Sequence, residues 1–384
     1  MDVGGRVEAG FERVVDAFVA NFRERGADVA ACAVTIGGRS VVDVWGGLAD
    51  RTTERPWARD TLQLVFSTTK GATALCAHLL VQRGLLDVDA PVASYWPEFA
   101  ASGKGDLPVR WVLSHRAGLA EIEGTFTLDE ALSWDPVVEA LAAQPPNWEP
   151  GSAHGYHIRS YGWLVGELVR RIDGRTLGRF FADEVAAPLG LDFWIGLPDA
   201  EEARVSTVIP PEASADPAAQ ALFEQFAGPD TFLGRTLTGP SGLFHYDEMW
   251  NTRAIHAAEL PSSNGIAEAR AVARMYAATV GAVDGVRLLE PATVAAATEV
   301  QAEGPDKVVM FPMRYGLGFM LPPTVPSPGP RAFGHAGAGG SLGFADPDRE
   351  LGFGYIMNRM EMGMSVDERA SSLAAAVYAC LDAR

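Results

Sequence analysis

Ser67 and Lys70 stand three residues apart, where a β-rich stretch gives way to the apolar run 72–82. Three residues are nearly one helical turn, so both side chains fall on one face. A serine hydroxyl becomes a nucleophile when a neighbouring base takes its proton. Lysine serves as that base once burial or a nearby cation leaves it partly neutral. A helix start also turns free N–H groups towards negative charge forming near Ser67. The bland reading is a surface lysine at a helix start. Two features weigh against it. Lysine occurs only at Lys70, Lys104 and Lys307 among 31 basic residues, and the run after Lys70 is apolar.

The pair needs a partner, and Tyr156 supplies one, in Pro150-Gly151-Ser152-Ala153-His154-Gly155-Tyr156-His157-Ile158. A phenol beside an ammonium can ionise well below its usual pKa of about 10 and pass protons between Ser67 and a leaving group. Alone, a tyrosine in a glycine-rich loop is packing. A third element is Gly334-His335-Ala336-Gly337-Ala338-Gly339-Gly340-Ser341. Its glycines let a substrate approach the backbone, and one N–H there can join that of Ser67 in an oxyanion hole. His335 either faces the pocket or is a structural histidine.

Two decoys fall away. Gly339-Gly340-Ser341-Leu342-Gly343 fits the G-x-S-x-G elbow, but a strand pattern follows it and no histidine lies downstream. His154 and His157 lack further ligands for a metal and more simply line the pocket beside Tyr156. Nothing in the sequence calls for a metal or a cofactor.

The elements that must position these groups are legible in outline. Residues 8–25 carry apolar positions at helical spacing, and 30–36 and 40–45 read as strands around Gly37-Gly38-Arg39. The order helix, strand, strand differs from a doubly wound parallel sheet. A helix is expected over 72–82, another over 160–187 broken at Asp173-Gly174, and 200–245 reads as loop-rich. The last third holds helices over 268–280 and 371–381, with strands over 315–321, 333–334, 341–345 and 351–358. Together the ends suggest one α/β domain, 1–84 plus 245–384, with a helical, loop-rich domain over 85–244 and the active site in the cleft between them.

Ser67-x-x-Lys70, Tyr156 and His335-Ala336-Gly337 resemble the serine β-lactamase and penicillin-binding-protein superfamily, specifically its class C-like family VIII carboxylesterases. Leu113-Ser114-His115-Arg116-Ala117-Gly118-Leu119 is similar to that family's loop between the first two motifs, and the resemblance runs from about residue 8 to the end. It implies an α+β fold, an antiparallel sheet flanked by helices with an inserted, mainly helical domain. It implies Ser67 as nucleophile, Lys70 and Tyr156 as base and acid, and the N–H groups of Ser67 and Ala338 as oxyanion donors. His335, Gly337, His157 and Ile158 then fall among substrate-binding positions. Two departures stand out. Ile158 replaces the asparagine that grips a β-lactam side chain, and His335 replaces the lysine that meets its carboxylate. Both favour uncharged esters, short-chain or aryl.

Composition narrows the rest. Asp and Glu total 49 against 31 basic residues, a net charge of −18, which argues against nucleic acid or an anionic membrane as partner. Three cysteines without metal spacing read as buried thiols, and no long apolar run is present; the chain reads as cytoplasmic, acting on a small-molecule ester. Two further enzymatic readings are an acyltransferase, with Trp148, Tyr161, Phe232, Phe244 and Trp250 keeping the cleft dry, and a weak β-lactamase or amidase. A different class is a penicillin-binding sensor that acylates once without turnover.

Overall fold

Alternation along the strands decides how the layers stack. The computed structural model describes residues 3–25, 29–212, 214, 216–361 and 367–383. Six strands, β1 (Val3–Val7), β2 (Val29–Ile36), β3 (Arg39–Asp50), β4 (Phe333–Ala336), β5 (Leu342–Asp346) and β6 (Leu351–Met357), form a sheet in the order β1-β3-β2-β6-β5-β4. Every pairing among them is antiparallel, and the short strand Arg55–Pro56 extends the sheet from β3. Cys32 and Val34 of β2, with Phe353 and Tyr355 of β6, pack with α1 (Glu12–Glu24) and α5 (Glu368–Leu381) on one face. The intervening Ala31, Ala33 and Gly352 face α4 (Ala269–Val280) on the other. That face is small because the helix lies close: a Cβ on Gly352 would overlap the Ala273 carbonyl.

A second apolar cluster joins α2 (Thr69–Gln82) to α3 (Ser160–Asp173) and the helices of the chain's middle. α2 buries nearly every residue from Thr69 to Leu80, so its apolar run is a core helix rather than an amphipathic one. α3 stops at Gly174, which takes φ 88° as a left-handed cap. A small sheet, ordered Gln63–Leu64, Ile266–Ala267, Phe193–Trp194, pins the segments flanking the candidate site.

Three elements differ from expectation. β1 precedes the first helix; its Gly4-Gly5 doublet hid it, although Gly4 packs against the Trp45 ring. The strand expected over 315–321 is instead Pro312–Tyr315 followed by a bend, because Gly318 turns the chain at φ 87°. The stretch 200–245 contains helices over Pro217–Ala227 and Phe232–Thr238.

Candidate active site

Ser67 does not sit within α2 but on the 3₁₀ turn Phe66–Thr68 that leads into it. Phe66 enters that turn at φ 44°, a left-handed conformation that costs a bulky residue on the order of 1–3 kcal/mol. Neighbours hold it there. The Thr69 hydroxyl donates to the Phe66 carbonyl at 2.5 Å, and the ring meets Tyr246 and Trp250 edge-on at 5.5 and 5.1 Å. Val65 N–H bonds the Gly265 carbonyl at 2.8 Å, tying the turn to the small sheet. The result lifts the Ser67 side chain to a half-buried position above a wholly buried Lys70.

Lys70 Nζ meets Ser67 Oγ at 3.1 Å and two backbone carbonyls, Ile158 at 2.7 Å and Ser262 at 3.1 Å. Among the described residues it has no carboxylate partner. Burial, and then the positive charge of Arg159, hold its pKa well below the ordinary lysine value.

Tyr156 lies over the same amine, with Nζ 4.8 Å from its ring centre. Its ring stacks with His335 at 5.9 Å and with Tyr315 at 6.3 Å. The expected ionised phenolate is corrected here. Burial raises the Tyr156 pKa above its usual value, and the nearby Ser67 hydroxyl offsets only part of that. Apart from the nearby Ser67 hydroxyl, the phenol oxygen has no hydrogen-bond partner among the described residues. The site therefore sets an amine whose burial favours its neutral form beside a phenol that burial keeps protonated.

The glycine-rich segment reaches the same place. Ser341 donates to the Val65 carbonyl at 2.7 Å and pairs with the Thr68 hydroxyl at 2.9 Å, fastening 337–341 to the Ser67 turn. Ser341 is thus a brace, not an elbow nucleophile. Gly337 must lack a side chain, since a Cβ there would overlap Ser341 Oγ and the Val65 carbonyl. Neither the Ser67 nor the Ala338 amide finds a backbone acceptor among the described residues.

The other expected binding residues split. His335 packs on Tyr156, its Nδ1 on the Ala336 carbonyl at 2.7 Å and its buried Nε2 without a hydrogen-bond partner among the described residues. His157 is committed to the fold: Nδ1 bonds the Gly155 carbonyl at 2.6 Å, and Nε2 accepts from Leu119 N–H at 3.0 Å. Ile158 buries its side chain and contributes its carbonyl to Lys70. Burial pushes His157 down to about 4 and His335 to about 3, so both rings are neutral near pH 7.

Sequence reasoning missed three groups. Asp306 accepts the backbone N–H of Tyr156 at 3.0 Å while capping Val308 and Val309, which fixes the tyrosine's loop. Ser262 offers the second carbonyl to Lys70 from about 190 residues downstream, a contact no local spacing reveals. Arg159 stands in the motif's own loop, and its burial among aromatic rings was the unseen part.

A family model described as beta-lactamase matches residues 11–378. The esterase/beta-lactamase LipL of Mycobacterium tuberculosis is 38% identical over 373 residues, covering 93% of this chain and 83% of that protein. A crystal structure of a family VIII carboxylesterase is 38% identical with a TM-score of 0.89, covering 99% of this chain and 100% of the other. A penicillin-binding-protein homologue from Caulobacter crescentus is also 38% identical, with a TM-score of 0.86 over the same shares. Sequence and architecture agree along the whole chain, so it belongs to the beta-lactamase family, among the family VIII carboxylesterases.

Proposed function

We propose that in this carboxylesterase Ser67 attacks the ester carbonyl, Lys70 takes the serine proton, and Tyr156 delivers a proton to the leaving alkoxide. The observation that carries this reading is the surroundings of Lys70 Nζ. A neutral amine has two N–H donors and one lone pair. Two carbonyls take two of the amine's donors, so the neutral form turns its lone pair to the Ser67 hydroxyl 3.1 Å away. Attack forms the Oγ–acyl bond, and the proton moves to Lys70. The Ser67 and Ala338 amides, which serve no backbone acceptor, are placed to meet the oxyanion. As the alkoxide leaves it takes the Tyr156 proton, and the Lys70 ammonium reprotonates the phenol. Water then reverses the sequence to free the acid.

The substrate is a small, uncharged ester, short-chain or aryl. The site-facing cations are buried, and His335 is held neutral, so a substrate carboxylate meets no exposed ammonium. We place the cleft between a sheet-bearing unit, 1–84 plus 245–384, and a helical unit, 85–244. Ser67, Lys70 and His335 come from the first, and Tyr156 and Arg159 from the second. No helix among the described residues is long and apolar enough to cross a membrane. A cytoplasmic setting suits three buried cysteines, Cys32, Cys76 and Cys380.

A second reading, slow β-lactam hydrolysis, is favoured by the double naming of LipL. The test pairs wild type with Ser67→Ala on p-nitrophenyl acetate, p-nitrophenyl butyrate and nitrocefin, recording intact protein mass during turnover. Fast ester cleavage with an acyl adduct that needs Ser67 is expected. Near-full ester turnover by Ser67→Ala would remove the mechanism. A preference for nitrocefin would move the second reading to first place, and a stable adduct without turnover would mark a sensor.

A further inference from the structure

Arg159 is only 4% exposed, yet among the described residues it has no carboxylate partner. A buried guanidinium without a counter-charge is costly to keep. What surrounds it is specific. Nε donates to the Leu237 carbonyl at 3.1 Å and Nη1 to the Ser263 hydroxyl at 2.8 Å, while Nη2 meets no geometric hydrogen-bond partner among the described residues. Phe244, Tyr246 and Trp250 surround the guanidinium at 5.5, 5.4 and 4.9 Å from their ring centres. Such a box stabilises a cation by π contact without neutralising it.

The position of that unneutralised charge matters. Residue 158 gives Lys70 one carbonyl and residue 262 the other, and Arg159 and Ser263 are their chain neighbours, joined by the Nη1 bond. The Ser262 hydroxyl donates to the Arg159 carbonyl at 2.9 Å, a second tie between the same two segments. Two segments far apart in sequence are thereby clamped so that their carbonyls converge on one amine.

We propose that Arg159 is a positioning residue for Lys70: it clamps the two carbonyls that hold the amine and sets a like charge behind it. The proposal rests on Lys70 being the base. A carboxylate at position 159 or against it would neutralise the clamp and favour the ammonium, which cannot accept the Ser67 proton. The aromatic box does the work of a counter-ion without that consequence. Other groups facing Lys70 do not compete with this role. Ser67 lies on its own turn and Tyr156 and His157 on the loop before α3, while His115 comes from the 113–119 loop and His335 from β4. The phenol and the three imidazoles are held neutral by burial, which leaves Arg159 as the permanent charge acting on the amine.

The test is the pH profile of kcat/KM on p-nitrophenyl butyrate for Arg159→Lys, Arg159→Met and Arg159→Gln. In wild type the acidic limb marks deprotonation of Lys70. Removing the neighbouring cation makes the ammonium easier to keep, so the limb moves to higher pH, by about one unit in Arg159→Met. Arg159→Lys keeps the charge and leaves the limb in place, although its rate falls because one point donor cannot span both partners. Arg159→Gln keeps a bond to Ser263 without the charge, and it covers the case in which Arg159→Met does not fold. An unmoved limb with a uniform loss at every pH would overturn the proposal, leaving Arg159 a structural residue only. Failure of the underlying reading looks different: Lys70→Ala would then still acylate at the wild-type rate, whatever the Arg159 variants do.

Discussion

Lys70 and Lys104 are both fully buried, both packed on an aromatic ring and both ringed by backbone oxygens, yet their surroundings ask for different protonation states. Lys104, held between the segments 97–103 and 135–144, donates to the carbonyls of Ala101 at 2.9 Å, Ala142 at 3.0 Å and Gln144, with Phe99 5.3 Å away. Three acceptors match the three N–H groups of an ammonium. Lys70 has two carbonyls, and its third neighbour is a hydroxyl that can donate as well as accept. Burial lowers the pKa of both, but Lys70 alone has a second cation acting the same way. One ligand and one neighbouring charge separate a structural staple from a base.

The largest expected effect sets the two lysines directly against each other. Lys70→Ala should lower kcat by about 10³-fold, the scale of a lost general base, with the protein still folded. Lys104→Ala should leave kcat per folded molecule near wild type, but lower stability by about 3 kcal/mol because three carbonyls lose their donor. Ester turnover and urea midpoints measured on both variants decide the matter. Equal activity losses in two folded variants would dissolve the contrast.

A smaller effect separates the two rings. Tyr156→Phe removes a hydroxyl whose neighbour among the described residues is the Ser67 hydroxyl, so stability should hold while kcat drops about 10²-fold. Phe99→Leu should do the reverse, costing about 1 kcal/mol in a well-packed core with kcat unchanged. If Tyr156→Phe kept wild-type kcat, the leaving alkoxide would have to draw its proton from elsewhere.

These contrasts also mark what the sequence could disclose. Ser67, Lys70 and Tyr156 were legible because their chemistry is tied to short spacings, and because lysine is scarce here. That scarcity alone could not tell Lys70 from Lys104, since the distinguishing acceptors arrive from Ile158, Ser262, Ala142 and Gln144 through the tertiary fold. Ionisation of Tyr156 was misjudged for the same reason. The spacing shows the neighbouring lysine but not the burial that holds the amine's pKa down and the phenol's up. In the fold, periodicity found the strands with strong alternation and missed β1, whose central glycines carry no pattern. It also read Tyr315-Gly316-Leu317-Gly318-Phe319 as a strand, because alternation with glycine looks the same whether the chain extends or turns.

The smallest effect is a slope. A buried lysine whose folded pKa lies below its unfolded value is neutral in the native state and charged in the unfolded one over that interval. The unfolded state then binds one more proton, so stability falls as pH falls from the ordinary lysine range, near 10.5, towards the folded pKa. The slope is about 1.4 kcal/mol per pH unit. Lys70→Met lacks this term, and the remaining groups are common to both proteins. The stability of wild type minus that of Lys70→Met should therefore rise with pH below the ordinary lysine value, by up to about 1.4 kcal/mol for each unit, read from urea unfolding. The matching pair, wild type and Lys104→Met, should show the same rise over a narrower range, because three carbonyl acceptors favour the ammonium that burial opposes. A flat difference for Lys70→Met would mean that Lys70 is an ammonium in the resting fold. Acylation would then require a proton to leave the site before Ser67 could attack.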